Sequence, residues 1–130
     1  MIKFKSVYDT KKKDDGLRIL ATRFRGRGLA KDRCDIWMAN LAPSERLLNR
    51  WWNYKIGWGG FTRAYRKELK QSLSSDANNR RIKNYGQKWT LRLVQLLGKK
   101  GPVTLMCHCG NNEPNCHLRV LKRILASKVS

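Results

Sequence analysis

Residues 101–125 read GPVTLMCHCGNNEPNCHLRVLKRIL, and the reading of this stretch decides the fold. A Gly-Pro start and a Gly-Asn-Asn stop bound the apolar and β-branched run Val103, Thr104, Leu105, Met106, the pattern of a buried strand. Beyond the turn-forming residues Gly110 to Pro114, Asn115 is placed to cap a helix whose apolar positions, Leu118, Leu121, Ile124 and Leu125, recur at helical spacing. Cys107, His108 and Cys109 therefore leave a strand where Cys116 and His117 enter a helix. In an open α/β sheet, ligands bind at the carboxyl ends of strands, and a helix N-terminus adds partial positive charge there.

Working outward, residues 2–8 alternate apolar and polar, the period of a half-buried strand, and residues 17–22 read as a second strand after the charged turn 11–16. A short apolar segment, 35–41, closes at Ala42-Pro43. Ser44 then caps an expected helix over 45–52, with Leu47, Leu48, Trp51 and Trp52 on one side. Phe61, Tyr65 and Leu69 lie at i, i+4 and i+8 of a further helix whose other face carries Arg63, Arg66, Lys67 and Lys70. A loop at 74–79 precedes a helix from about Arg80 to Leu97, with Tyr85, Trp89, Leu93, Val94 and Leu97 expected to face inward and Gly98 to Gly101 stopping it. Trp51, Trp52, Tyr54 and Trp58 could form a stacking platform, but aromatics at helical spacing more often build a core. The order of elements predicts one α/β domain over residues 1–130, a small sheet of about three or more mostly parallel strands packed by four to five helices.

The 130 residues suffice for one core, and 41% hydrophobic content with five Trp excludes a wholly disordered chain. Twenty-nine Lys and Arg against nine Asp and Glu give a net charge of +20, a self-repulsion that an anionic partner would relieve. Nucleic acid is the expected partner, RNA favoured over DNA, with the protein a non-enzymatic component of a ribosome or other ribonucleoprotein. The densest basic segment holds Arg18, Arg23, Arg25, Arg27, Lys31 and Arg33, with Phe24 offering a face for a base. Arg63, Arg66, Lys67, Arg80 and Arg81 complete the expected phosphate contacts. No apolar run approaches the ~20 residues of a membrane span, and the N-terminus lacks a signal-peptide core, so a cytoplasmic location without membrane contact is expected.

Four Cys in such a chain are expected to be thiols. Cys107, Cys109, Cys116 and His117 supply enough soft ligands for zinc, with Cys34 a further ligand if the fold brings it close. The enzymatic alternative is centred on Cys107 and Cys116 with His117, a nucleophile at Cys107 or Cys109 having His117 as neighbouring base and acting on an anionic substrate. In the third reading the thiols simply fill a tight strand end. A cysteine-phosphatase loop, His-Cys-x5-Arg, fails because position 115 is Asn, and no P-loop, dinucleotide fingerprint or Ser-His-Asp order is present.

Taken together, Val7-Tyr8-Asp9, Asp15-Gly16-x-Arg18-Ile19-Leu20, Arg27-Gly28-Leu29, Trp37-x3-Leu41-Ala42-Pro43-Ser44, Phe61-x3-Tyr65-x2-Glu68-Leu69 and Gly101-Pro102-Val103-Thr104-Leu105 resemble, in order and over nearly the full length, the YeaO-like family, domain of unknown function 488. Some relatives end a strand in Cys and begin the next helix with Cys-His-Arg, which Cys107, Cys116 and His117 match while Leu118 replaces the Arg. Where relatives read Asp-Arg-Leu-Trp-Pro-Arg-Gly, this chain has Thr22-Arg23-Phe24-Arg25-Gly26-Arg27-Gly28. The resemblance implies an α/β fold and brings no established reaction.

Overall fold

The computed structural model describes residues 1–70, 87–109 and 115–127. Among them lie four strands, β1 (Ile2–Ser6), β2 (Leu17–Leu20), β3 (Ile36–Trp37) and β4 (Val103–Cys107), and four helices, α1 (Glu45–Trp52), α2 (Trp58–Leu69), α3 (Gln87–Lys100) and α4 (His117–Leu125). The strands form one parallel sheet in the order β1-β4-β2-β3. The last strand in sequence thus sits between the first two, in register Ile2 to Val103 on one side and Leu17 to Val103 on the other. All five β4 residues are buried, as an unbroken apolar run in a central parallel strand should be.

Alternation along β2 and β4 sorts their side chains to two faces. Ile19, Val103, Leu105 and Cys107 join a core with Leu47, Phe61, Tyr65, Leu91, Val94, Leu118 and Leu121, so the helices cover one face. On the other, Leu20 and Met106 pack with Val7, Leu29 and Cys34. That second face is also polar. Lys3 and Lys5 from β1 reach Asp15 at 2.9 and 2.8 Å, and the Thr104 hydroxyl donates to the Asp15 carbonyl at 2.7 Å. Burial alone pushes the Asp15 carboxyl up. The hydrogen bonds from Lys5, the Lys12 backbone and Lys3 outweigh it and hold the group well below the usual carboxylate range.

Glycine permits two close approaches. Gly16 has φ +62°, and a Cβ there would lie 2.0 Å from the Pro102 carbonyl oxygen, so only glycine lets the turn into β2 meet the start of β4. At Gly98 a Cβ would lie 2.7 Å from Ile2 Cγ1. The expected stop at Gly98 is therefore a contact point, and α3 runs on to Lys100.

Helix α1 begins as predicted, Ser44 Oγ accepting from the Leu47 N–H at 3.2 Å. Two expectations need correction. Trp89 and Leu93 are 47% and 46% exposed, because the inward stripe of α3 is Leu91, Val94 and Gly98. The Lys88 and Arg92 cations lie over the Trp89 ring at 5.7 and 5.2 Å. The N-cap of α4 is Cys116 rather than Asn115, and it makes no side-chain cap bond. Tyr85, Arg80 and Arg81 lie outside the described residues. No described helix is long and apolar enough to cross a membrane.

Candidate functional site

The carboxyl end of β4 delivers Cys107, Cys109 lies two residues beyond it, and α4 starts beside them with Cys116 as its cap. Their three Sγ atoms all lie within 4.8 Å of one another, with Cys116 Sγ 3.4 Å from Cys107 Sγ. Such a group can hold a metal ion. The thiols titrate as a unit. Cys109 is held below its ordinary value by hydrogen bonds from Cys107 first and then Cys116. Cys107 is pushed up by its bonds with Cys109 and Cys116 and by burial.

His117 and Cys34 stand apart from this group. His117 Nε2–H donates to the Ala21 carbonyl at 2.5 Å, and burial pulls its pKa down, so the ring is neutral near pH 7 and anchors α4 to the end of β2. Cys34 packs on the opposite sheet face with Val7, Leu20 and Met106. Its place in a four-cysteine site is therefore overturned by the sheet itself. His108 points away from the thiols, as strand alternation implies. Its Nε2–H donates to the Phe24 carbonyl at 3.2 Å, and Nδ1 accepts from the Tyr8 hydroxyl at 3.5 Å. Gly26 lies against this ring at φ +96°, and a Cβ there would come within 2.9 Å of it.

A cavity of about 190 Å³ opens beside the thiols. Cys109, Cys116, His117 and Asn115 form one side, Thr22 and Arg23 another, and Trp51, Trp58 and Phe61 the apolar wall. Trp58 stacks on Phe61 at 5.1 Å, and Trp51 meets Trp58 edge-on at 5.5 Å. These two indoles belong to the core, as helical spacing suggested. Trp52 and Phe24 differ: they are 54% and 50% exposed, at the cavity rim, near-parallel (27°), with ring centroids 6.4 Å apart.

The basic segment divides. Arg18 is buried, pairs with Asp35 at 3.1 Å and donates to the Arg33 carbonyl at 3.3 Å. Arg23, also buried, donates to the carbonyls of Pro43 and Ala42 at 3.1 and 3.2 Å, near the Glu68 carboxylate that Ser44 Oγ and N–H hold at 2.5 and 3.0 Å. Both guanidiniums thus serve the fold. Arg25 donates to the Leu29 carbonyl at 2.9 Å, while Arg27, Lys31 and Arg33 are exposed. Along α2 and at its C-cap, Arg63, Arg66, Lys67 and Lys70 are the described residues that line a shallow surface concavity of about 410 Å³.

The sequence reading weighed Trp52 as a stacking residue and favoured the core, whereas the structure leaves it exposed. The signal was two adjacent Trp at the end of α1, since consecutive helical positions cannot both face one core. The family model described as the Active DUF488-N3 subclade matches residues 2–129. No curated protein and no solved structure matches the chain.

Proposed function

The chain belongs to the DUF488 family, and on that premise we propose that it is a non-enzymatic nucleic-acid-binding protein, RNA favoured over DNA, held within a ribosome or other ribonucleoprotein. The observation that carries this reading is the α2 concavity: four cations, Arg63, Arg66, Lys67 and Lys70, with no carboxylate lining it among the described residues, on a domain of net charge +20. Close-set cations with no acid among them repel one another until a polyanion neutralises them. Arg27, Lys31 and Arg33 add exposed charge from the loop before β3. Exposed Phe24 and Trp52 favour single-stranded RNA, whose unstacked bases lie on aromatic faces.

The test is the salt dependence of binding to a single-stranded oligoribonucleotide. Log affinity should fall linearly with log salt, and replacing the four α2 cations by Gln should flatten the slope by about 3, at ~0.7 per lost phosphate contact. Binding that persists unchanged at ~1 M salt would overturn the reading.

The three-thiol group favours a second reading, a zinc site or thiol centre acting on an anionic substrate. Cys107, Cys109 and Cys116 would be the protein ligands, leaving a fourth tetrahedral position for another group. Metal analysis of the purified protein should then find about one zinc per chain, lost in Cys109→Ser. Metal-free protein with thiols unreactive below pH ~8.5 would sink both forms of it.

A further inference from the structure

We propose that the cavity mouth flanked by Phe24 and Trp52 receives one unpaired base of the bound strand, the cavity taking the edge of that base. This rests on the RNA-binding reading and adds a specific seat to it.

Three features carry the inference. Phe24 and Trp52 are large aromatics left half-exposed on a domain that buries Phe61 and Tyr65 almost completely. Their rings are near-parallel (27°), with centroids 6.4 Å apart, and both line the cavity, so each presents an aromatic face to a flat ring entering there. Finally, the space behind them has the size and polarity for a base edge. At about 190 Å³ it is smaller than the ~300–1,000 Å³ of sites for drug-sized ligands, and it presents Asn115, Thr22 and the Cys109 thiol beside its apolar wall.

Charge explains why the occupant is a nucleotide of a strand rather than a free aromatic molecule. Phe24 stands three residues before exposed Arg27, and Trp52 ends the helix that carries exposed Arg46 and Arg50. Each ring therefore sits in a segment that can hold the phosphates flanking an inserted base, and stacking is tolerant of which base it is.

The experiment compares full-length protein binding to a 12-nucleotide oligoribonucleotide and to the same oligomer built with abasic residues, by fluorescence anisotropy at low salt. The abasic strand should bind about tenfold or more weakly, and intrinsic Trp fluorescence should be quenched by the base-containing strand alone. Trp52→Ala should reduce the base-containing strand to the abasic level without changing the salt slope, and Trp52→Phe should restore most of the difference. Equal affinity of the wild-type protein for the two strands overturns base insertion while leaving RNA binding in place, whether or not the variants fold. Failure of both strands to bind overturns the two readings together. A deoxyribose strand that binds as tightly, with the same abasic loss, supports the seat and overturns the preference for RNA.

Discussion

Two sets of cations in this molecule have similar composition and opposite fates. Around the sheet, Lys3, Lys5, Arg18 and Arg23 converge on internal acceptors: Asp15, Asp35 and the carbonyls of Ala42 and Pro43. Along α2, Arg63, Arg66, Lys67 and Lys70 line a surface concavity with no carboxylate among them. The first set holds strands and loops together, and the second lies at the surface. A count of basic residues cannot tell the two apart, because what separates them is whether an acceptor lies within reach among the described residues.

The contrast is broken most severely at Asp15. Asp15→Asn leaves two lysines facing a neutral amide in a site where the carboxylate is 1% exposed, and should cost about 3 kcal/mol in denaturant unfolding. Its pH dependence follows from the sign of the shift. Because folding lowers the Asp15 pKa, its contribution is complete above the unfolded value of ~3.9 and disappears as pH falls through the folded value. Wild-type stability should therefore decline below pH ~4 more steeply than that of the Asn variant. A variant as stable as wild type, with the same acid limb, would show that the lysines are not held by this group.

Arg23→Met comes next, at about 2 kcal/mol, since two buried carbonyls lose their donor and Glu68 loses a neighbouring charge. Salt dependence of RNA binding should not move, and a large change in slope would transfer Arg23 to the second set. Arg25→Ala sits between the sets. It loses one half-exposed hydrogen bond to Leu29 and should destabilise by about 0.5 kcal/mol, with at most a unit change in salt slope. Smallest in stability is the four-residue Gln variant of α2, expected within about 0.5 kcal/mol of wild type although its salt slope falls furthest. If it instead unfolds, the concavity belongs to the fold.

Much of the architecture was legible because it rests on local patterns. The run at 103–106 announced a buried strand, Ser44 announced a helix start, and Phe61, Tyr65 and Leu69 announced a buried face. Strand alternation also gave the convergence of Cys107 and Cys109 with His108 turned away. What was not legible depends on partners distant in sequence. His117 reads as a fourth ligand until the three thiols are found grouped without it, its N–H held by the Ala21 carbonyl 96 positions away. Cys34 reads as a fourth ligand until the sheet places it on the other face. Gly98 reads as a stop until Ile2 is found against it.

By itself, then, the sequence determined the class of fold, the meeting of strand end and helix start that gathers three thiols, and an excess of positive charge. Only the tertiary structure decided which cations remain exposed, which Trp residues stay at the surface, and that Phe24 comes to lie across from Trp52. The reason is physical: periodicity and capping act over a few residues, whereas burial and acceptor geometry are fixed only when segments far apart in the chain are packed together.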